Sequence, residues 1–249
     1  MEYATMIEQF TPTLRFHPNE YYFPCSIEHY LSNSVRYNRP FDEPLTPDTL
    51  CDGINDSGSV ISINENAWKY DFNSSAPIYV TTYETSLLYV IQYIFLYSYN
   101  GYKNVLGLFH VGGHQCDIER ITVRITKETG QIHDIYFGAH THKDGLWVKH
   151  EDIEFDGTHP VVYIAQGTHA TYSKPGTYIR YFGFGNDKTS TEGISWIPEN
   201  VVYIDENTPW NQFRGRLGAP YECPTPLHHL WWREENGIST NWWKRLFGL

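Results

Sequence analysis

The chain has 249 residues and a formal net charge of −11, with 41% hydrophobic and 16% aromatic residues. This composition excludes an intrinsically disordered chain, which is poor in aromatic residues and rich in charge. The acidic balance also argues against non-specific binding of nucleic acid, because such binding needs clustered lysine and arginine.

Targeting and redox signals favour a cytoplasmic location. The opening segment MEYATMIEQF has neither the basic flank nor the apolar run of a secretory signal peptide. The most apolar stretch, Leu87–Tyr99, is shorter than the roughly 20 residues of a membrane-spanning helix. The four cysteines lie far apart without a CxxC pair, which suits reduced thiols. We therefore expect a protein that is not transmembrane and that acts in the cytoplasm or at the periphery of membranes.

The order of apolar residues along the chain favours strands over long helices. A short helix is predicted at Ser26–Ser32, followed by a loop-rich acidic excursion at about residues 38–77. Tyr89–Tyr97 is rich in β-branched and aromatic residues at both odd and even positions, which is typical of a strand covered on both faces. Ile121–Thr126 alternates strictly between apolar and polar residues and predicts a half-exposed strand. Further strands are predicted at Gln131–Phe137, Pro160–Ala165 and Val201–Ile204.

Short strands separated by glycine and proline predict the fold class. We expect one mainly β domain over residues 1–249, built as an antiparallel β-sandwich with a few short helices. The excursion at 38–77 is interpreted as a surface feature of this domain, because it contains little that could form a core.

One predicted strand carries two acidic residues on its interior face. Because Ile121 and Val123 face the core, extending the period-two alternation backward puts Asp117 and Glu119 on the same face. An unpaired buried carboxylate costs several kcal/mol, so a cation, a salt-bridge partner or a bound proton must compensate it. The same alternation places Cys116 on the solvent side, which argues against a nucleophilic cysteine there.

A histidine near these acids completes a possible ligand set. His114 stands three residues before Asp117, and Gly112–Gly113 lets the backbone turn its imidazole toward the carboxylates. A His-x-x-Asp-x-Glu set offers one nitrogen and two oxygen donors, which suits Mg²⁺, Ca²⁺, Mn²⁺ or Zn²⁺ without distinguishing among them. The alternative is that the two acids pair with Arg15 or Arg180 in a polar core network.

Two further histidines are expected at the same end of the sandwich. His140 and His169 lie in segments that leave predicted strands, and strand exits converge at one end of a sandwich. Both are candidates for metal ligands or for catalytic proton transfer. The alternative for each is a structural histidine that bonds to a backbone carbonyl.

Several segments of the chain, taken in order, resemble the vacuolar protein sorting-associated protein sixty-two family. They are Leu14–Glu20, Ala76–Val80, Ile91–Gly101, Gly112–Ile125, His159–Tyr178 and Phe213–Gly218. Because they keep their order through most of the chain, the resemblance is more specific than any one segment.

The central motif of that family is in turn similar to the signature heptapeptide of necrosis- and ethylene-inducing-like toxins. Those toxins have a β-sandwich that resembles actinoporins, and they bind a divalent cation through a His-x-x-Asp-x-Glu set to engage a sphingolipid headgroup. The resemblance implies this fold, and it implies His114, Asp117 and Glu119 as metal ligands. His140 and His169 match histidines in the sorting family's own blocks.

The chain departs from the family pattern at three positions. Gly113 stands where the family tends to have Asp, Ile118 where it has Trp, and Arg120 where it has His. Loss of an acidic neighbour removes a ligand or an acceptor that orients one. Metal affinity or preference is therefore expected to differ from that of the family.

Three functions follow from these residues. The first is a divalent-metal-dependent protein that recognises a lipid or glycan headgroup in membrane trafficking or membrane attack. The second is a metal-dependent hydrolase of a phosphoester or glycosidic bond, with His140 or His169 moving the proton. The third is a structural or assembly protein in which the cation only holds the fold together, and the pattern leaves open a homo-oligomer.

The Trp-rich tail Asn241–Leu249 suits a membrane interface, where Trp beside Lys and Arg is favourable. The alternative is that this tail packs onto the sandwich or onto a partner subunit.

Overall fold

The computed structural model describes residues 2–37, 45–50, 59–105, 109–180, 183, 185–205, 207–213 and 215–218. The tail Asn241–Leu249 and parts of the acidic excursion lie outside these ranges. None of the helices within them combines the length and apolar character that a membrane crossing requires.

Strands dominate the described residues. The helices are α1 (Tyr3–Phe10) and α2 (Ile27–Ser32), with short 3-10 turns at Glu65–Ala67, His150–Asp152 and Pro209–Gln212. Strands β1 to β18 lie, in chain order, at Thr13–Phe16, Ser34–Tyr37, Val60–Ile63, Ile78–Glu84, Leu88–Asn100, Lys103–Val105, Phe109–Val111, His114–Thr126, Ile132–Ala139, Thr141–Lys149, Phe155–Asp156, His159–Ile164, Thr171–Tyr172, Gly176–Tyr178, Asp187–Thr189, Ser195–Trp196, Val201–Tyr203 and Arg216–Leu217.

The strands form three larger sheets and two hairpins. A six-stranded sheet has the order β10-β9-β8-β5-β4-β17, and β11-β12-β1-β16 form a second sheet with β13 beside β12. A third sheet has the order β18-β3-β2, while β14–β15 and β6–β7 pair separately. The long strands β5 and β8 run antiparallel from Leu88 opposite Thr126 to Asn100 opposite His114.

The six-stranded sheet is covered on both faces. One face packs against the second sheet and α1, in a first core that includes Phe16 and Phe95. The other face packs against the third sheet and α2, in a second core that includes Leu31, Ile61 and Leu96. Strand β5 contributes to both cores, which confirms the prediction of a strand buried on both sides.

The predicted mainly β class is confirmed, but the sandwich is not strictly antiparallel. The pairs β1–β12, β17–β4 and β18–β3 are parallel. Each joins strands that are far apart in sequence, and hydrophobic periodicity carries no information about the direction of a partner strand.

Other predicted elements are also present. The helix at Ser26–Ser32 is α2, where the Ser26 side chain accepts a hydrogen bond from the His29 N–H at 3.0 Å. The predicted strands correspond to β5, β8, β9, β12 and β17. The expectation that the range 38–77 contains little that could form a core is wrong, because strand β3 lies within it and buries Ile61 and Ile63 in the second core.

The prediction that the second face of β8 meets water is confirmed only in part, since Arg124 and Thr126 are half-buried but Cys116 and Thr122 are covered. Cys116 is fully buried in the second core, and Thr122 is also fully buried. The Thr122 hydroxyl accepts a hydrogen bond from Gln92 Nε2 at 3.1 Å, so its polar group is satisfied without solvent. The second face of β8 is therefore covered by the second core at Cys116 and partly exposed farther along the strand.

Candidate functional site

The candidate site lies where β5 ends and β8 begins. The register of these strands places Tyr97 opposite Asp117 and Phe95 opposite Glu119. Both aromatic residues belong to the first core, and Asp117 and Glu119 are only 7% and 9% exposed. The predicted interior orientation of the two acids is therefore confirmed.

His169 supplies the positive partner of Asp117. Its Nδ1 donates a hydrogen bond to Asp117 Oδ2 at 2.8 Å, and the side chain is fully buried. The imidazole also stacks on the ring of Tyr97, with centroids 3.8 Å apart and an angle of 4° between the planes. An aromatic face attracts a cation, so this stacking supports a charged imidazole.

Glu20, which precedes α2, is the second carboxylate beside His169. Its Oε1 accepts hydrogen bonds from the Tyr21 and Tyr22 N–H groups, and its Oε2 accepts one from the Gly167 N–H at 2.7 Å. His169 Nε2 lies 3.8 Å from Glu20 Oε1. This distance exceeds that of a hydrogen bond, so the attraction between the two side chains is electrostatic.

These contacts set the charge state of the cluster. Burial alone would lower the pKa of His169, but the hydrogen bond to Asp117 and the charge of Glu20 raise it from 6.5 to about 9. Burial alone would raise the pKa of Glu20, but the His169 charge and the N–H groups of Gly167 and Tyr22 bring it below its usual value. His169 is therefore an imidazolium at neutral pH.

The arginines considered from the sequence bind other acids. Arg15 Nη1 lies 2.9 Å from Glu154 Oε1, and Arg180 Nη2 lies 3.4 Å from Asp144 Oδ2. The alternative of an arginine partner for Asp117 is therefore wrong, and its partner is a histidine that is 52 residues away in sequence.

Glu119 differs from its neighbours. Within the described ranges it takes part in no hydrogen bond or ion pair. Burial, followed by the charge of Asp117, raises the pKa of Glu119 well above its usual value, and Arg120 opposes this shift. This carboxyl group can therefore gain a positively charged or hydrogen-bonding partner from outside.

A second histidine–carboxylate pair lies beside the first. His140 Nε2 is 2.7 Å from Asp187 Oδ2, and Asp187 is fully buried. The same carboxylate accepts hydrogen bonds from the Tyr172 hydroxyl at 2.7 Å and the Thr168 hydroxyl at 2.6 Å. These donors hold the pKa of Asp187 below its usual value although burial opposes them. Asp187 therefore fixes the orientation of the His140 ring.

Left-handed backbone conformations are concentrated at this end of the molecule. Among the described residues, Cys116, His140 and His169 are the non-glycine residues with positive φ, at 54°, 48° and 55°. Such conformations cost of order 1 kcal/mol or more and persist where the surroundings enforce them. Two of the three carry the imidazoles that bond to buried carboxylates.

The predicted metal ligands are brought together only in part. Asp117 lies next to His169, whereas His140 bonds to Asp187, and His114 Nδ1 lies 3.3 Å from the Gln115 carbonyl oxygen. In the described part of the chain, no three His, Cys, Asp or Glu side chains are grouped so that they could hold a metal ion. The metal site stays a prediction.

Two residues of the cluster were missed from the sequence. Glu20 ends the first segment that resembles the sorting family, so its position in that segment was a signal that could have been used. Asp187 has no such signal, because it reaches His140 through the β14–β15 hairpin.

The structure explains why glycine stands before His114. A Cβ atom on Gly113 would lie 2.6 Å from the Tyr99 hydroxyl and 3.1 Å from the Tyr102 Cβ. The Tyr99 ring is itself stacked on Trp68, with centroids 4.2 Å apart. The Tyr99 hydroxyl therefore takes the space that the first atom of a side chain at position 113 would need.

Comparison with known proteins supports the resemblance seen in the sequence. A family model described as vacuolar protein sorting-associated protein 62 matches residues 82–194, just under half of the chain. This range contains Asp117, Glu119, His140, His169 and Asp187. No curated protein is significantly similar to the chain in sequence.

Solved structures of necrosis- and ethylene-inducing proteins are similar at low identity. Protein 2 from the causal agent of cocoa's witches' broom disease is 14% identical with a TM-score of 0.43, over 80% of this chain and 72% of that one. NLPPya in complex with mannosamine is 11% identical with a TM-score of 0.46, over 88% and 84%. NLPPya in complex with glucosamine is 12% identical with the same TM-score and coverage.

The His169 pair predicts a pH dependence of stability. Because the pKa of His169 is raised from 6.5 to about 9 on folding, this side chain contributes its full stabilisation of the folded state below pH 6.5. This stabilisation is lost as the pH rises through 9, and the unfolding free energy falls by roughly 3 kcal/mol in total. Urea unfolding between these pH values, with a chelator present, measures the loss.

The matched control for this measurement is His169→Asn, since asparagine tolerates the left-handed backbone. This variant should be less stable than the wild type at pH 6, and its unfolding free energy should change less between pH 6.5 and 9. A decline above pH 8 that persists in the variant belongs to the buried thiols of Cys25 and Cys116, whose pKa values burial raises. Parallel profiles of the two proteins would contradict the assignment to His169.

The crowding at Gly113 predicts a coupled pair of substitutions. Gly113→Ala should destabilise the protein by about 1–3 kcal/mol through overpacking against Tyr99. Tyr99→Phe removes the hydroxyl at 2.6 Å, so the double variant should lose less than the sum of the single losses. Denaturant unfolding of the four proteins measures the coupling, and strictly additive losses would exclude the proposed contact.

Proposed function

We propose that this end of the sandwich binds the polar headgroup of a membrane lipid or a glycan. The observation that supports the proposal is a contrast among the buried acids. Glu20 and Asp187 accept several hydrogen bonds from the protein, whereas Glu119 accepts none from the described residues. The Glu119 carboxyl group, whose pKa burial and the Asp117 charge raise, can therefore accept hydrogen bonds from a ligand and is expected to ionise when a positive group pairs with it.

The surroundings of these acids suit a sugar or polyol. Carboxylates accept hydrogen bonds from hydroxyl groups and form stronger ones with ammonium groups. Glu20 and Gly101 each form a hydrogen bond with Gly167, two residues before His169. The residues that follow them, Tyr21 and Tyr102, are 58% and 50% exposed. Aromatic rings at such positions can pack against the apolar face of a sugar ring.

Metal dependence is the finer part of the proposal. Asp117 and Glu119 would hold the cation with oxygen donors, and His114 would add a nitrogen. The cation would be the positively charged partner that Glu119 lacks, and its open coordination positions would bind oxygen atoms of the ligand. The donor chemistry fits, but the described side chains form no group of three, so the ligand or a movement of His114 would have to complete the site.

Titration with amino sugars tests headgroup binding. Glucosamine and N-acetylglucosamine differ in the ammonium group that Glu119 would pair with, so glucosamine should bind more tightly. Glu119→Gln should weaken glucosamine binding by about tenfold or more, as expected for a lost charge-assisted hydrogen bond. NMR titration or calorimetry measures both affinities, with added divalent cation and with chelator.

The control for this titration is Glu84→Gln, which removes an exposed acid at the end of β4, opposite Tyr89 and far along β5 from the site. It should bind glucosamine as the wild type does. Equal weakening by Glu84→Gln and Glu119→Gln, or no preference for the amino group, would contradict binding at Glu119.

Metal content tests the cation directly. Mass spectrometry of the native protein should find a divalent cation in the wild type and less of it in Glu119→Ala. Loss of the carboxylate removes a ligand, and each ligand contributes to affinity. Equal metal content in both proteins would exclude Glu119 as a ligand and leave the headgroup proposal to stand without metal.

A second candidate function is the hydrolysis of a phosphoester or glycosidic bond. The arrangement that favours it is the His140–Asp187 pair, because a carboxylate that orients an imidazole is a common feature of general acid–base sites. Release of phosphate or sugar from a substrate panel, lost in His140→Gln with glucosamine binding unchanged, would support this function over binding alone.

A further inference from the structure

Three basic residues lie around Gln166, beside the candidate site. The Lys103 ammonium group donates a hydrogen bond to the Gln166 carbonyl oxygen at 2.6 Å. The Gln166 N–H donates to the Lys188 carbonyl oxygen at 2.9 Å, and Gln166 Nε2 donates to the Asn19 carbonyl oxygen at 3.0 Å. The Asn19 N–H in turn donates to His17 Nδ1 at 3.1 Å. One glutamine therefore joins the segments that carry Lys103, Lys188 and His17, which we call the basic group.

The basic group adjoins the buried acids of the candidate site. Gln166 precedes Gly167, whose N–H donates to Glu20 at 2.7 Å, and Lys188 follows Asp187 in β15. Successive side chains of a strand point to opposite faces, so Asp187 is buried while Lys188 is exposed. A ligand can therefore reach the basic group from solvent without entering the space around the buried acids.

The charges of the two lysines are not neutralised by ion pairs. Within the described residues, neither Lys103 nor Lys188 forms an ion pair with a carboxylate. The nearby acids Glu20 and Asp187 already accept several hydrogen bonds from other donors. Burial lowers the pKa of both Lys103 and His17, and the charge of Lys188 lowers each further, although neighbouring acids oppose the shift. An anion bound among these residues would relieve this repulsion.

The basic group offers several hydrogen-bond donors on separate segments. The Lys103 ammonium group has three N–H donors, of which the Gln166 carbonyl takes one. Because His17 Nδ1 accepts a hydrogen bond from the Asn19 N–H, the ring carries its proton on Nε2 and can donate there. The exposed Lys188 ammonium group adds further donors. Donors on three segments suit a tetrahedral anion better than a planar carboxylate, which has only two oxygens.

We propose that Lys103, Lys188 and His17 bind a phosphate group, either as a monoester or within a phosphodiester. Hydrogen bonds between a charged donor and a phosphate oxygen are roughly twice as strong as those between neutral groups, and lysine is a common phosphate-binding residue. The inference goes beyond headgroup binding at Glu119, because it requires no amino group on the ligand and applies equally to a soluble sugar phosphate.

Titration with inorganic phosphate tests this proposal, at one ionic strength so that screening is the same for every protein. Lys188→Gln and Lys103→Gln should each weaken phosphate binding about tenfold, as expected for a lost charge-assisted hydrogen bond. Lys149→Gln is the matched control, because it makes the same change of charge at an exposed lysine. The strand register places Lys149 level with Val90, near the start of β5, whereas Lys103 follows the end of β5. Phosphorus NMR or calorimetry measures the affinities.

Two phosphate compounds distinguish the sources of such a ligand. Glucose 6-phosphate is a soluble monoester, and glycerophosphoinositol is a lipid headgroup without its acyl chains. Binding of either compound that Lys188→Gln weakens and Lys149→Gln leaves unchanged supports the proposal and identifies the matching source.

The proposal is overturned if the wild type binds no phosphate, or if Lys149→Gln weakens binding as much as Lys188→Gln does. Neither result depends on the glucosamine titration, because inorganic phosphate has no amino group. Glucosamine binding at Glu119 and phosphate binding at the basic group can therefore fail separately.

Discussion

A buried ion pair between His169 and Asp117 holds the candidate site together. It joins β8 to the segment between β12 and β13, and Glu20 adds the segment before α2 through the same imidazole. Removal of one partner from a buried pair leaves an uncompensated charge, which typically costs about 3–5 kcal/mol, although an apolar pair of the same volume is often as stable as the intact ion pair. The pair therefore acts mainly by specifying how three distant segments meet. Any substitution that keeps the fold but changes this pairing should move the segments that surround Glu119.

The short segment between β12 and β13 satisfies two carboxylates with consecutive residues. Thr168 donates to Asp187, and His169 donates to Asp117. Adjacent side chains reach separate acids because the backbone at His169 is left-handed, with φ of 55°. The strain of that conformation is offset by the hydrogen bond and the stacking on Tyr97 that it permits. Local strain and buried charge are thus two parts of one arrangement, and neither would persist alone.

Much of the fold could be predicted from periodicity, and the site could be predicted in part. The alternation of side chains along β8 correctly predicted that Asp117 and Glu119 face inward, because strand geometry fixes a period of two residues. The same alternation wrongly predicted that Cys116 faces water, since periodicity cannot show that a third sheet covers the second face of the strand there. The partner of Asp117 could not be found from spacing, because strand pairing brings residues 52 positions apart into contact. Histidine was the better candidate than arginine only once the β12–β13 segment was placed.

In the proposed headgroup site, the distribution of satisfied and unsatisfied acids would determine which ligands bind. A carboxylate at the surface gains little from a cationic partner, because water already solvates it. Glu119 is largely shielded from water, so the gain from a matching ammonium group, hydroxyl group or metal ion is larger. The net charge of −11 disfavours the approach of free anions from a distance. The proposed site would therefore prefer a ligand that presents a positively charged or hydrogen-bond-donating group to Glu119.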